Sequence, residues 1–119
     1  LVRSLKLQKR AARVGFDWPD ILQVLEKIDE ETRELVEAKQ HLSQDKINEE
    51  FGDLLFSIVN LGRHLGVDSE EALKKTNRKF TKRFRFIEDS ISSRGLKLEE
   101  TPLEEMEDLW QISKKALSN

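Results

Sequence analysis

Glu30-Glu31-Thr32-Arg33-Glu34 and Glu50-Phe51-Gly52-Asp53 decide the reading of this chain. Each holds two carboxylates three residues apart, Glu31/Glu34 and Glu50/Asp53. On an α-helix that spacing puts both side chains on one face, one turn apart. Between the pairs, His41-Leu42-Ser43-Gln44-Asp45 has the composition of a helix-to-helix turn. The stretch is therefore expected to form a helical hairpin. With its turn centred near Leu42, both pairs lie roughly 14 Å from the turn at about 1.5 Å rise per residue. The four carboxylates then face each other at one height.

Working outward, the helix before the turn should run from near Pro19 to about Gln40. Leu22, Leu25, Ile28, Leu35 and Val36, with Thr32 among them, occupy one arc of its wheel at about 100° per residue. Glu31 falls at the edge of that arc, Glu34 one step further out, and Glu30 well away. The helix after the turn should run from about Asp45 to His64 and stop at Gly66. Ile47, Phe51, Leu54, Leu55, Ile58, Leu61 and Leu65 form its stripe, bordered by Glu50 and Asp53. Gly52 inside this helix costs about 1 kcal/mol against Ala. A close helix approach beside the acids would account for it.

A basic first helix is expected over 1–14, stopped by Gly15. Phe16 and Trp18 follow, either as core anchors, the commoner fate, or as walls for a flat ring. Asp68-Ser69-Glu70-Glu71 has capping-box spacing and opens a fourth helix. Its stripe is Leu73, Phe80, Phe84, Ile87 and Ile91. Residues 74–85 hold seven basic residues and no acid, with Lys79 and Arg83 at one edge of the stripe and Asn77 at the other. After a loop at Ser92–Gly95, Thr101-Pro102-Leu103-Glu104 supplies an N-cap, a first-turn Pro and an early Glu. A last helix to about Leu117 carries Met106, Leu109 and Trp110, with Lys114 one turn beyond Trp110. No strand-like alternation, tandem repeat or low-complexity tract is present. The fold class is all-α, a bundle of four to five helices in one domain spanning 1–119.

Composition agrees. Of 119 residues, 37% are hydrophobic and 37% charged, as in amphipathic helices with narrow apolar stripes. Five Gly and two Pro leave few turn signals. The absence of Cys excludes disulfides and thiolate chemistry. It suits a reducing, cytoplasmic setting. No apolar run approaches the roughly 18 residues of a membrane span, so no membrane partner is expected. The start, Leu1 to Lys6, is too basic and too short in apolar core for a signal peptide. Leu1 in place of Met is compatible with a piece of a longer protein.

Four carboxylates in a partly dry groove repel one another, which raises their pKa values. A divalent cation removes the conflict, and oxygen-only donors favour Mg²⁺ or Mn²⁺ over zinc. Mg²⁺ usually shares its shell with substrate phosphates. Lys79, Arg83 and Lys114 could hold phosphate oxygens beyond the ion's reach. One acidic i, i+3 pair alone is more often a solvated face. Two that border apolar seams at matching height are not so easily dismissed. A di-iron bundle would need Glu-x-x-His motifs, and His41 and His64 stand at neither required position. The basic run could instead contact nucleic acid. With no aromatic-rich RNA motif and a net charge of -2, a solvated face is the better reading, and no nucleic-acid partner is expected.

Glu30-Glu31-x-x-Glu34, fifteen further residues and Glu50-x-x-Asp53 resemble the EExxE…ExxD signature of the MazG family of all-α nucleoside triphosphate pyrophosphohydrolases. Gln8-Lys9-Arg10-Ala11, Val14-Gly15-Phe16-Asp17-Trp18, Gly52-Asp53-Leu54-Leu55-Phe56, Asn60 to Gly66, Asn77-Arg78-Lys79-Phe80-x-x-Arg83-Phe84 and Arg94-Gly95-Leu96 extend the likeness over nearly the whole chain. They resemble the catalytic, C-terminal domain of two-domain bacterial members. Related acidic signatures occur in dimeric dUTPases and phosphoribosyl-ATP pyrophosphatases.

The resemblance implies hydrolysis of a nucleoside triphosphate between the α- and β-phosphates with Mg²⁺. It assigns the metal and the catalysis to Glu31, Glu34, Glu50 and Asp53. It places nucleotide binding at Lys79, Arg83, Trp110 and Lys114; from the residues themselves, Asn77 is a further substrate-binding candidate and Phe16, Trp18 or Trp110 are candidates to stack on the base. It also implies a homodimer or higher homo-oligomer, a state the surplus apolar stripes favour as well. The alternatives are a dUTP- or modified-nucleotide-specific pyrophosphatase and a non-catalytic helical interaction or RNA-binding module.

Overall fold

Side-chain caps and left-handed glycines set most of the helix boundaries. A computed structural model describes residues 1–41 and 43–117. Five α-helices emerge: α1 (Val2–Arg13), α2 (Ile21–His41), α3 (Gln44–His64), α4 (Ser69–Ser93) and α5 (Leu103–Ala116). A 3₁₀ turn at Leu98–Glu100 precedes α5, and no strand occurs among the described residues. The all-α class read from the sequence is thus the observed one. Leu42, the expected centre of the hairpin turn, lies outside the described residues.

The Asp20 carboxylate accepts from Gln23 N at 3.1 Å, so α2 starts two residues after Pro19. Ser43 Oγ accepts from Lys46 N at 3.3 Å, and Asp68 Oδ1 from Glu71 N at 3.1 Å. Gly15, Gly66 and Gly95 follow α1, α3 and α4 with φ of 90°, 70° and 72°, where a side chain would be strained. The start of α5 departs from expectation. Its cap is Pro102, and the Thr101 hydroxyl donates instead to Lys97 O at 2.9 Å across the 3₁₀ turn.

Two compact units divide the chain, Leu1–Ala72 and Leu73–Asn119. In the first, α2 packs along α3 and α1 packs on α3. The inward stripe of α2 is Val24, Ile28, Glu31, Leu35 and Ala38, alternating four- and three-residue steps. Ile47, Glu50, Leu54, Ser57 and Leu61 repeat that pattern on α3. This corrects the wheel reading of α2. Leu22, Leu25 and Val36 are exposed, and Glu31 is in the middle of the seam, not at its edge. On α3, Phe51, Leu55, Ile58 and Leu65 are likewise exposed. Each helix carries two apolar stripes, and an arc fitted to both falls between them.

Gly52 is also corrected: a Cβ there would meet nothing within 4 Å. The close approach is at Gly62, where a Cβ would lie 2.5 Å from Ser69 Oγ at the start of α4. Phe16 and Trp18 are not core anchors, at 81% and 42% exposure. The buried residue of α1 is Gln8, whose Nε2 donates to Phe56 O at 2.9 Å.

The second unit has a conventional apolar core. Ile87, Ile91 and Leu109 are buried, with Phe84, Met106 and Trp110 packed against them. Each such aliphatic side chain contributes about 1.5–3 kcal/mol on burial.

Candidate active site

The hairpin's inward stripes carry two charged residues, Glu31 and Glu50, and are otherwise apolar except for Ser57. Glu31 is 4% exposed, and Glu50 is half-buried. Burying a carboxylate is costly unless it is paired. Each has a partial remedy in a lysine one turn earlier. Lys27 Nζ lies 2.9 Å from Glu31 Oε1, and Lys46 Nζ 3.6 Å from Glu50 Oε1. A lysine N-terminal to its glutamate is the weaker orientation for helix support. These lysines therefore answer the buried charge more than they support the helix. The hydrogen bond to Glu31 holds the Lys27 ammonium above its ordinary pKa.

The remedy reaches one oxygen of each acid. Glu31 Oε2 and Glu50 Oε2 are buried without a hydrogen-bond partner among the described residues. Asp53 completes the group: one carboxylate oxygen from each of Glu31, Glu50 and Asp53 lies within 4.8 Å of the others. Partial desolvation raises the Asp53 pKa, and the charges of Glu31, Glu50 and Glu49 add to this while Lys27 opposes it. Glu34 stands outside this triad, exposed on α2. Its pKa is raised by desolvation first, then by Glu31 and Glu50. Glu30 is exposed and lies 3.8 Å from the Lys27 ammonium. The triad fits a small divalent cation: its donors are all oxygens, they converge, and two lone oxygens lack any other partner.

The remaining sequence-assigned residues fall elsewhere in the chain. Asn77, Lys79, Arg83, Trp110 and Lys114 belong to the second unit. There Arg83 is buried, its guanidinium 5.3 Å from the centroid of the Trp110 ring. Phe80 stacks on Phe84 at 5.9 Å and tilts against Trp110 at 5.5 Å. Lys79 is half-buried, while Asn77 and Lys114 are exposed. Phe16 and Trp18, in the first unit, wall an apolar hollow of about 260 Å³ with Phe56.

Sequence reasoning passed over Lys27 and Lys46, although the i, i+4 step to each glutamate was there to read. It also passed over the polar rim of the hollow. Arg63 reaches Asp17 Oδ1 at 2.5 Å and Asn60 Oδ1 at 2.8 Å, and His64 Nε2 lies 3.2 Å from the same Asp17 oxygen. The bond from Arg63 holds the Asp17 carboxyl below its usual range. No local spacing signals a contact between residues so far apart in sequence.

A helical hairpin with converging carboxylates, and no strand among the described residues, defines an all-α class of protein. Within it, residues 20–86 match the model of the MazG nucleotide pyrophosphohydrolase domain, and the chain belongs to that family. It is 51% identical over 114 residues to the nucleoside triphosphate pyrophosphohydrolase/pyrophosphatase MazG of Thermotoga maritima, which covers 96% of this chain and 44% of that protein. It is 49% identical over 117 residues to the nucleoside triphosphate pyrophosphohydrolase of Escherichia coli K12, covering 97% of this chain and 44% of the relative. The chain thus spans under half the length of these relatives.

Proposed function

We propose that this chain is a Mg²⁺-dependent nucleoside triphosphate pyrophosphohydrolase, with Mn²⁺ able to substitute. It would cleave the α–β phosphate bond of NTPs and dNTPs, releasing nucleoside monophosphate and pyrophosphate. The observation that carries this reading is the triad of Glu31, Glu50 and Asp53, with two buried carboxylate oxygens left unpaired. The names of the two relatives support the substrate class.

Glu31, Glu50 and Asp53 would hold the ion. When bound, Mg²⁺ supplies charge neutralisation at the triphosphate oxygens and Lewis acidity. Glu34 would orient the attacking water and take its proton. It is exposed, and its raised pKa moves it toward the range useful for a general base. Lys27 and Lys46 would offset the charge of the buried acids before the ion arrives. Lys79 and Arg83 of the second unit are proposed, on the family resemblance, to bind the phosphates of the nucleotide. Asn77, Trp110 and Lys114 would complete nucleotide binding. All of residues 1–119 are assigned to one catalytic domain, supported by the near-full coverage of the chain in both alignments.

The exposed stripe of Leu22, Leu25 and Val36 on α2, with Phe51, Leu55, Ile58 and Leu65 on α3, supports a homodimer. A monomer by light scattering at micromolar concentration would remove that part. No described helix is long and apolar enough to cross a membrane. The expected setting is the cytoplasm, where the nucleotide pool lies.

The test is a panel of canonical and modified NTPs and dNTPs with Mg²⁺, with products identified by ³¹P NMR. Monophosphate plus pyrophosphate is the expected outcome. Diphosphate plus orthophosphate would overturn the bond assignment, and no turnover of any substrate would leave a binding module.

A further inference from the structure

The outward face of α4 carries a stripe of cations that the proposed reaction does not use. Lys75, Arg78, Lys82 and Arg85 follow one another at steps of three, four and three residues, so they share one side of the helix. All four are exposed. At about 100° per residue they lie opposite Leu73, Phe80, Phe84 and Ile87. The cationic face therefore stays open when the apolar side is covered. Lys75, Arg78 and Lys82, with Thr76 and Lys79, line a hollow of about 350 Å³, and no described acid is among its lining residues.

Like charges at these steps destabilise a helix. Elsewhere the fold answers such charge with an acid one turn away: Lys27 with Glu31, Arg33 with Asp29, Lys46 with Glu49. None of the four α4 cations has an ion pair among the described residues. Acids stand only at the two ends of the run, Glu71 before it and Glu88 after it. A row of uncompensated like charge on one open face is costly to the free helix, and it is the electrostatic footprint of a polyanion.

We propose that this stripe binds the phosphate backbone of a nucleic-acid strand, without reading its bases. From Lys75 to Arg85 the four cations span about 15 Å of helix at roughly 1.5 Å per residue. A nucleic-acid strand carries one phosphate per about 3.4 Å of axis, so about four phosphates face that length. A lone triphosphate leaves part of the stripe unmatched. The stripe holds no aromatic side chain on which a base could stack, so the contact is with charge alone. The net charge of -2 that speaks against a nucleic-acid partner is a property of the whole chain. Charges beyond about 10 Å are largely screened at 0.1 M salt, so the local stripe decides.

The test is fluorescence anisotropy of a labelled thymidine strand of about 20 nucleotides titrated with the intact chain in EDTA, over about 50 to 200 mM KCl. Four contacts at about -0.7 each predict a slope of log K against log salt of about -3. Lys75→Gln, Arg78→Gln, Lys82→Gln and Arg85→Gln should each reduce that slope by about 0.7, and the four together should bring it near zero. The combined variant loses only repulsive pairs, so it should melt no lower than wild type, and the single variants carry the test should it fail to fold. No binding at about 50 mM salt, or single variants that leave the slope unchanged, would overturn the proposal. Binding that requires Mg²⁺ would place the strand at the carboxylates and overturn it too. Displacement of the strand by an acidic peptide of equal charge at equal concentration would assign the stripe to a protein partner instead.

Discussion

Asp53→Asn should make the metal-free protein more stable and inactive at once. The Asp53 carboxylate has Glu31 and Glu50 oxygens within 4.8 Å and no ion pair among the described contacts. Two unit charges at that separation repel by about 0.9 kcal/mol in water, and a Debye length of about 10 Å at 0.1 M salt cuts this roughly in half. Asp53 is exposed, so the aqueous dielectric is the appropriate one. Two neighbours give about 1 kcal/mol, from which the more distant Lys27 subtracts a little. For a chain of this size, that is a Tm rise of about 3–5 °C in EDTA. Adding Mg²⁺ should reverse the order, because the wild-type triad gains an ion and the variant has lost a ligand. Turnover should fall at least about 100-fold. Differential scanning fluorimetry with and without Mg²⁺, beside a pyrophosphate-release assay, reads all three effects. An Asp53→Asn protein less stable than wild type in EDTA, or one that still turns over with Mg²⁺, would refute the reasoning.

Other perturbations separate the parts of the site. Lys27→Met removes the only partner of the buried Glu31 oxygen Oε1 among the described contacts, so it should lower the Tm in EDTA and regain most of the loss in Mg²⁺; a variant as stable as wild type in EDTA would show that Lys27 neutralises nothing. The pH dependence has a definite sign. Asp53 keeps its proton to higher pH in the metal-free fold than in the unfolded chain. Its contribution to stability is therefore present below the ordinary carboxylate range, about pH 4, and is lost as pH rises through the raised value. Mg²⁺ competes with that proton, so the Tm gain on adding Mg²⁺ should be largest at neutral pH and fade toward pH 4, and a gain independent of pH would place the ion elsewhere. Gly52→Ala should stabilise the isolated helix position by up to about 1 kcal/mol, since its Cβ meets open space; a clear Tm loss would restore the close approach that the geometry denies.

The helices and the acid cluster were legible because their signals are local. An i, i+3 carboxylate pair fixes a face, and two pairs equidistant from a turn fix a height. The burial of Glu31 was not legible, because a wheel reading equates apolar with buried. Here Val24 and Ala38 are buried while the larger Leu22 and Leu25 are exposed. Each helix carries a second stripe of large apolar side chains, and a wheel alone does not say which stripe faces the partner helix. Phe16 and Trp18 were misjudged for a related reason: aromatic rings usually seek a core, but these two flank a hollow beside a left-handed glycine. Gly52 and Gly62 look alike in sequence, and only the path of α4 past Gly62 tells them apart. The Thr101 cap failed because α5 begins one residue later, with Pro102 at the cap position and Thr101 held in the preceding 3₁₀ turn. The polar rim joining Asp17 to Arg63 depends on tertiary contact and has no local signature.

The claim on which the rest depends is that Glu31, Glu50 and Asp53 hold a divalent cation. Anomalous scattering from crystals grown with Mn²⁺ locates such an ion directly. The expected result is a peak within bonding distance of an oxygen from each of the three carboxylates, roughly 2.0–2.2 Å away. A fully loaded crystal with no peak there, or with its manganese only on other side chains, would contradict the account.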